Sequence, residues 1–146
     1  MKITHKGDYA LKAVLDLATH YDEGVVTIHA IAKRIDAPSK FLEQVLLELK
    51  RGGFIESRRG KIGGYMLAKP PRDITLGDVV RFVDGSLEPI ACVNKDYADC
   101  NDLHKCVFRP VWQKVSNATS DIVDHMTFEE LANRMRAATQ EPTYSI

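Results

Sequence analysis

The sequence has no long hydrophobic run, few cysteines and no excess of charge of either sign. No stretch approaches the roughly 18 consecutive apolar residues that cross a bilayer, and the first residues lack the apolar core of about seven or more residues that marks a signal peptide. The 3 cysteines cannot all pair with one another, which argues against the disulfide framework of a small secreted protein. We therefore expect a cytoplasmic protein that makes no contact with a membrane.

The charges are unevenly distributed, although the 20 basic and 20 acidic residues cancel. Residues 1–72 carry 13 Lys and Arg against 8 Asp and Glu, whereas residues 73–146 carry 7 against 12. Between Lys50 and Arg72, seven basic residues accompany a single acid, Glu56. A basic segment on an otherwise neutral chain indicates a polyanionic partner.

The N-terminal half has the pattern of a winged helix-turn-helix. Apolar residues recur at helical spacing over residues 8–21, 28–35 and 39–51, and a short turn separates the last two predicted helices. We expect Ser39 to cap the third helix. Strand-like runs at residues 54–58 and 65–68 flank a glycine-containing loop, which predicts a basic hairpin, or wing.

Polar residues in two places are candidates for DNA contacts. The start of the second helix of a helix-turn-helix meets base edges in the major groove, and a basic wing suits phosphates or a narrow minor groove. The candidates are Ser39, Lys40, Glu43 and Gln44 on the helix and Arg58, Arg59 and Lys61 in the wing. The alternative is that Ser39 only caps its helix and the others are solvated surface. A nucleotide-binding loop is excluded, because the glycines match no phosphate motif and the loop joins two strands.

Residues 86–106 show no sustained periodicity and carry the 3 cysteines, Cys92, Cys100 and Cys106. An irregular segment of about 20 residues is unusual in a compact domain unless it is functional. The spacing lacks the two close ligand pairs of a structural zinc site, but three thiolates on a flexible segment can hold an iron–sulfur cluster. Three partly buried free thiols are the alternative.

Beyond the cysteines, apolar residues at helical spacing predict a long helix near residues 107–125 and a short one near 127–136. We expect Trp112 and Phe128 to lie in the core or at a dimer interface. The apolar stripe of the long helix is more than a small domain needs to cover, so we expect this helix to carry dimerisation; the stripe contains Val111, Val115, Ile122 and Met126.

The predicted fold is mainly α with a small β wing, and it has three parts. Residues 1–85 form a winged helix-turn-helix DNA-binding domain, and residues 86–106 form the cysteine-containing loop, the candidate cluster-binding loop. Residues 107–146 form the dimerisation helix and C-terminal tail.

Several stretches together resemble the family of bacterial winged-helix transcription regulators that includes the iron–sulfur cluster regulator IscR, the nitric-oxide sensor NsrR and the iron regulator RirA. They are MKITHKGDYALKAVLDLA at the N-terminus, SKFLEQ at 39–44, RRGKIGGYMLA at 58–68 and ITLGDVV at 74–80. The resemblance covers residues 1–137. It implies a homodimer joined through the long helix, with a cluster on Cys92, Cys100 and Cys106. The family also has members without a cluster that respond through protein partners.

The fourth cluster ligand differs between branches of this family. The cluster regulator has a histidine three residues beyond its last cysteine, where this chain has Arg109, whose guanidinium stays protonated and cannot bind iron. The nitric-oxide-sensing branch resembles this chain at Asp8, an acid that can complete the cluster from the partner subunit. The resemblance therefore favours a 4Fe-4S cluster on three cysteines and Asp8, with a 2Fe-2S cluster as the other type. Asp8 as a simple helix-end charge and His104 as the ligand are the alternatives.

Together these features favour a DNA-binding transcription repressor whose DNA affinity is controlled by an iron–sulfur cluster that senses nitric oxide, iron or redox state. It would bind a palindromic operator as a homodimer. The alternative is a cluster-free regulator of the same family, controlled by a partner protein or by thiol oxidation. We do not expect an enzyme, because no motif of convergent acids or of a nucleophile and base is recognisable beyond a cysteine with His104.

Overall fold

A computed structural model describes residues 1–140, so positions 141–146 of the predicted C-terminal tail lie outside the described residues. The described chain folds mainly into α-helices with one antiparallel β-hairpin, which confirms the predicted fold class. The elements are α1 (His5–Thr19), α2 (Ile28–Ile35), α3 (Ser39–Arg51), β1 (Ile55–Arg58), β2 (Gly64–Leu67), α4 (Leu76–Asp84), α5 (Arg109–Val123) and α6 (Phe128–Gln140).

The helix starts follow capping chemistry, with one exception to the prediction. Thr27 and Thr75 cap α2 and α4, each accepting a hydrogen bond from the N–H three residues on, at 3.2 and 3.1 Å. The prediction that Ser39 caps α3 is wrong. Pro38 takes the N-cap position with φ −60° and ψ 128°, and no side chain bonds the first turn. Because the ring of Pro38 presets φ, α3 begins at Ser39 itself.

A tight turn joins α2 to α3 and completes the helix-turn-helix. Asp36 ends α2 in the left-handed region with φ 53°, which a non-glycine residue adopts nowhere else in residues 1–140. Aspartate tolerates this conformation better than most residues. The N–H of Ala37 then bonds the carbonyl of Ala32 at 3.0 Å, so the chain reverses within three residues.

The core is built around α1, which packs against α2, α3, α4 and α6. Two fully buried alanines on α1, Ala10 and Ala13, let neighbouring helices approach closely. The buried side of α3 carries four apolar residues, Leu42, Val45, Leu46 and Leu49. Phe128 and Ala132 of α6 are each 1% exposed in the same core, so Phe128 is a core residue. The core therefore fixes one side of α3 and leaves the other side to solvent.

The hairpin is docked on the body of the domain by backbone hydrogen bonds. Its strands pair from Ile55 opposite Leu67 to Arg58 opposite Gly64. Val26 and Tyr65 then exchange N–H···O bonds of 2.8 Å in both directions. Gly64 is required at this contact, because a Cβ there would lie 2.3 Å from the carbonyl oxygen of Val26.

The C-terminal helices differ in length from the prediction. The helix α5 has 15 residues and starts at Arg109 rather than at residue 107, whereas α6 extends to Gln140. Pro110 lies in the first turn of α5, where its missing N–H costs no helical hydrogen bond, so it marks the helix start. None of the helices between residues 1 and 140 is long and apolar enough to cross a membrane.

Candidate functional site

The predicted base-reading residues share the solvent side of α3. Ser39, Lys40, Glu43 and Gln44 are all exposed, opposite the buried leucines and valine of the helix. Leu47, which is 48% exposed, extends this face by one turn. The sequence pattern did not single out Leu47, because an apolar residue in an amphipathic helix is normally assigned to the core. An exposed apolar side chain on this face is suited to contact the methyl group of thymine.

Two polar contacts hold α3 in place between α1 and the hairpin. The ammonium of Lys6 on α1 lies 3.3 Å from the carboxylate of Glu48. The ammonium of Lys50 donates a hydrogen bond of 2.7 Å to the hydroxyl of Ser57 on β1. The exposed face of α3 and the hairpin therefore form one connected surface.

The tip of the hairpin concentrates positive charge. Arg58, Arg59 and Lys61 are all exposed. The acid Glu56 pairs with Arg58 at 3.2 Å, whereas within residues 1–140 no carboxylate lies within ion-pair distance of Arg59 or Lys61. Ile62, 77% exposed, lies beside them and was not predicted as a site residue. The wing thus presents two unneutralised cations and one apolar side chain to a partner.

One side of α5 is an exposed apolar stripe. Val115 is 41% exposed and Ile122 is 66% exposed. Trp112 is also 38% exposed, so it does not lie in the core, and its expected place at a dimer interface stays a prediction. The other side of the helix packs inward through Val123. Further exposed members of the stripe are Val107, Phe108 and Val111. A contiguous apolar surface of this kind is typical of a protein–protein contact.

The cysteine segment is irregular, and its first cysteine contacts the start of α5. Cys92, Cys100 and Cys106 are free and half-buried. Cys92 lies in a short 3-10 turn, and its carbonyl accepts a hydrogen bond of 3.0 Å from Nε of Arg109. The residue that cannot bind iron therefore fastens the first cysteine of the segment to the start of α5.

The described conformation does not assemble a metal site. Across residues 1–140, no three His, Cys, Asp or Glu side chains converge closely enough to hold a metal ion. In chemistry the donor set fits, because iron–sulfur clusters are held by cysteine thiolates and all three thiols are free. Cluster binding would thus require the segment 86–106 to fold around the cluster.

Asp8 lies in the first turn of α1 and is half-buried. Its carboxylate is 2.6 Å from the ammonium of Lys12 one turn later, and this hydrogen bond raises the pKa of Lys12 above its ordinary value. The ion pair uses one carboxylate oxygen, Oδ2, and no other ion pair of Asp8 is formed among residues 1–140. His104 is exposed within the cysteine segment.

A contact between distant parts of the chain links the start of α1 to the end of α4. The carboxylate of Asp84 accepts hydrogen bonds from the N–H of Thr4, at 3.0 Å, and from the Thr4 hydroxyl. Gly7 lets the two elements approach, because a Cβ there would lie 2.1 Å from Oδ2 of Asp84. The first turn of α1, which carries Asp8, is therefore linked to Asp84, two residues before the cysteine segment.

A second contact links α4 to α5. The guanidinium of Arg81 forms an ion pair with the carboxylate of Asp124 and donates to the hydroxyl of Ser120 at 3.3 Å. The hydrogen bond to Asp124 raises the pKa of Arg81 above its ordinary value. Gly77 faces this pair, since a Cβ there would lie 2.2 Å from Oδ1 of Asp124.

Known proteins share this fold and sequence. The family model described as Rrf2, iron-dependent transcriptional regulator, matches residues 3–134. An Rrf2-like HTH-type transcriptional regulator of Rhodobacter capsulatus is 38% identical over 136 residues, which are 88% of this chain and 91% of that protein. IscR of Pectobacterium carotovorum is 34% identical over 133 residues, which are 91% of this chain and 80% of that protein.

Two solved structures extend the comparison. IscR of T. potens superposes with a TM-score of 0.77 at 33% identity and covers 99% of this chain and 95% of its own. CymR of B. subtilis, described as the global cysteine regulator, gives a TM-score of 0.77 at 30% identity and covers 92% of this chain and 98% of its own. With its winged helix-turn-helix and these relatives, the chain belongs to the Rrf2 family of winged-helix transcription regulators.

Proposed function

We propose that this regulator is a repressor that binds a palindromic operator as a homodimer in the cytoplasm. The observation that carries the proposal is the connected surface of α3 and the hairpin, which the bond between Lys50 and Ser57 joins. One such surface covers a half-site, and a twofold dimer would place two of them about one helical turn, roughly 34 Å, apart. The exposed stripe on α5 is the surface that the second copy would cover.

The residues on this surface divide into two roles. Arg59 and Lys61, together with Arg58, would contact phosphates or the minor groove and so position the protein without reading sequence. Glu43 and Gln44 would read bases, because a carboxylate accepts from the cytosine amino group and an amide pairs with adenine. Ser39 and Lys40 would act at the edge of the same contact.

A comparison of two variants tests this division. Arg59→Ala should weaken binding to specific and random DNA alike and reduce the salt slope by about 0.9, because one phosphate contact fewer releases one counterion fewer. Gln44→Ala should keep the salt slope and lose about 1–3 kcal/mol of preference at one base pair. Fluorescence anisotropy with operator and random duplexes measures both.

Arg134→Ala is the matched control for the loss of charge. Arg134 is exposed on α6 and pairs with Glu130 at 2.7 Å, away from the hairpin. An equal effect of Arg134→Ala on the salt slope would contradict the role of Arg59. Equal losses on operator and random DNA for Gln44→Ala would remove that residue from the base-reading set.

We further propose that an iron–sulfur cluster controls the DNA affinity. Cys92, Cys100 and Cys106 would hold the cluster, with Asp8 of the partner subunit as the fourth ligand, and the 4Fe-4S type is preferred over 2Fe-2S. Such a cluster supplies a centre that reacts with nitric oxide or oxygen and depends on iron supply. The iron-dependent description of the family and the two IscR relatives support this proposal.

The chain itself would respond through the segment 86–106. Ordering a flexible residue costs about 1–2 kcal/mol of backbone entropy, so a segment that folds around its ligand changes state strongly when the ligand is lost. Asp84 lies two residues before this segment and accepts a hydrogen bond from Thr4, the N-cap residue of α1. The segment is thus connected to the helix that carries Asp8 and packs against α3.

Cys100→Ala tests the cluster. We expect wild-type protein purified without air to be brown and the variant to lack the visible chromophore, with a change in operator affinity of about 1–3 kcal/mol. Asp8→Ala should form a cluster that decays faster on exposure to nitric oxide or oxygen. A wild-type protein that stays colourless after anaerobic reconstitution, with operator affinity unchanged by Cys100→Ala, would refute cluster sensing.

A cluster-free regulator, controlled by a partner protein or by thiol oxidation, is the second candidate. It is favoured by the lack of a preformed three-ligand metal site within residues 1–140 and by the likeness to CymR. Under this alternative, hydrogen peroxide would take two electrons from two thiols, joining their sulfurs and leaving two waters. Mass spectrometry after peroxide treatment would then show that the mass of the chain falls by two hydrogens. Cys100→Ala, which removes one of the three thiols, should change this loss.

A further inference from the structure

A cavity of about 570 Å³ lies between the second half of α1, the end of α2 and the end of α6. Its volume falls in the range of about 300–1,000 Å³ that is usual for small-molecule sites. The residues that line it include neither the proposed DNA-contacting residues nor the cysteines. The cavity is therefore separate from the proposed DNA-contacting surface and from the cysteine segment.

An ion pair already neutralises the acid that lines the cavity. Asp16 is buried, and its two carboxylate oxygens accept hydrogen bonds from Nε and Nη2 of Arg34 at 2.7 and 2.8 Å. Lys12, also in the lining, pairs with Asp8. These three charges are thus compensated by their neighbours, and Asp16 does not repel an incoming anion.

Arg136 is the cation in the lining that forms no ion pair with a carboxylate among residues 1–140. Its Nη1 donates to Oδ1 of Asn133 at 3.1 Å, and its Nη2 donates to the carbonyl oxygens of Thr19 at 2.9 Å and Ala18 at 3.4 Å. Among residues 1–140, no carboxylate comes within ion-pair distance of Arg136. These bonds hold the guanidinium in the wall between this cavity and a smaller one beside it, and they use Nη1 and Nη2, whereas Nε has no hydrogen-bond partner among residues 1–140.

Apolar side chains form much of the remaining wall. Leu15 and Ile35 line it from α1 and α2, and Met135 lines it from α6 with 49% of its surface exposed. Methionine adapts its shape readily to a bound apolar group. We propose that the cavity binds a small amphipathic carboxylate, with its apolar body against these three side chains and its carboxylate paired with Arg136.

The position of the cavity connects such a ligand to DNA binding, a step that rests on the proposed function. Ile35 is the last residue of α2 and is followed directly by Asp36, the left-handed residue that turns the chain into α3. A ligand that contacts both Ile35 and α6 would fix the helix-turn-helix relative to α6. Coupling of this kind commonly changes affinity about 5- to 150-fold.

Nuclear magnetic resonance on the full chain tests the site without DNA. The probes are octanoate, hexanoate and 3-phenylpropionate, with 1-octanol as a neutral molecule of the same length as octanoate. We expect saturable shifts of the Ile35 and Met135 methyl signals with the carboxylates. Arg136→Gln should weaken carboxylate binding at least tenfold, and 1-octanol should bind at least tenfold more weakly than octanoate.

Arg134→Gln is the matched control, since Arg134 lies two residues away on α6, pairs with Glu130 and does not line the cavity. It should bind octanoate as the wild type does. Equal binding of octanol and octanoate, or equal binding by wild type and Arg136→Gln, would overturn the proposal. Failure of every carboxylate to saturate the methyl shifts below a Kd of about 1 mM would also overturn it.

Operator binding with and without saturating octanoate then tests the coupling. A change of about fivefold or more that Arg136→Gln abolishes supports it. Saturable methyl shifts with unchanged operator affinity would overturn the regulatory part of the proposal. Normal methyl shifts in a protein that binds no DNA at all would instead refute the proposed function and leave the carboxylate site standing.

Discussion

The exposed stripe on α5 predicts that one charge placed within it separates the proposed homodimer. Ile122→Glu is the sharpest change, because Ile122 is 66% exposed in the single chain and has the surface to lose in a contact with a second copy. The residue points away from the core, so the substitution should leave the fold of each subunit intact. Circular dichroism would confirm that the helical content is unchanged.

The size of the effect follows from the exposed fraction of Ile122. Full burial of a large apolar side chain stabilises by about 1.5–3 kcal/mol, so covering the exposed 66% is worth roughly 1–2 kcal/mol. Twofold symmetry counts this residue twice, which gives about 2–4 kcal/mol for each dimer. We therefore expect the Kd of the dimer to rise at least about 30-fold, before the cost of desolvating two carboxylates is added.

Sedimentation velocity over a range of protein concentrations measures this Kd. Asn117→Glu is the control, because it adds the same charge to the same helix two residues beyond Val115 and so roughly on the opposite side. It should dimerise like the wild type. An unchanged Kd for Ile122→Glu, or an equal rise for Asn117→Glu, would refute the reasoning and move the interface elsewhere, with the first helix as the next candidate.

Three other changes test particular contacts. Gly64→Ala should lower the free energy of unfolding in urea by about 1–3 kcal/mol and weaken operator binding, because the added Cβ would lie 2.3 Å from the Val26 carbonyl oxygen. Unchanged stability would contradict this close approach. Arg34→Met should lower the free energy of unfolding in urea by about 2–3 kcal/mol, because the Asp16 carboxylate it leaves unpaired is 7% exposed and cannot rehydrate. Asp16→Asn should lower it by about 1 kcal/mol, because the Arg34 guanidinium is 37% exposed and stays hydrated. Equal losses for the two variants would refute this asymmetry. Leu47→Ala should change the free energy of unfolding by less than about 0.5 kcal/mol. In competition binding it should lose about 1 kcal/mol of preference for thymine at one base pair. An effect on stability alone would make Leu47 a packing residue.

The regular elements could be predicted because their patterns are local. The helical spacing of Leu42, Val45, Leu46 and Leu49 gives the buried side of α3 directly, and the opposite side then carries the candidate base-reading residues. Helix ends were predicted less well, because α1 spans His5–Thr19 rather than residues 8–21 and α6 continues to Gln140. Two other errors lie beside a proline. Pro38 displaced Ser39 from the cap, and Pro110 moved the start of α5 two residues beyond the predicted position.

The contacts that connect the elements could not be predicted, because they join residues far apart in sequence. Asp84 and Thr4 are 80 positions apart, and nothing in the spacing of either residue shows the other. The glycine before Asp8 belongs to a stretch that identified the family, yet its physical reason, the close approach of Asp84, is visible only in the folded chain. The arrangement of the three cysteines is likewise a property of a segment without periodicity.

The short helix α4 is the element through which a change in the cysteine segment would reach the rest of the molecule. Its last residue, Asp84, accepts hydrogen bonds from Thr4 at the start of α1. Arg81, one turn earlier, forms an ion pair with Asp124 at the end of α5. The segment 86–106 lies between α4 and α5. Arg109, the first residue of α5, donates a hydrogen bond to the carbonyl of Cys92 within the segment. The segment is thus linked near one end to α1, which packs against α3, and near the other to α5, which carries the exposed apolar stripe. Under the proposed function, a change at the cysteines would in this way alter the spacing of two half-site surfaces without touching either surface directly.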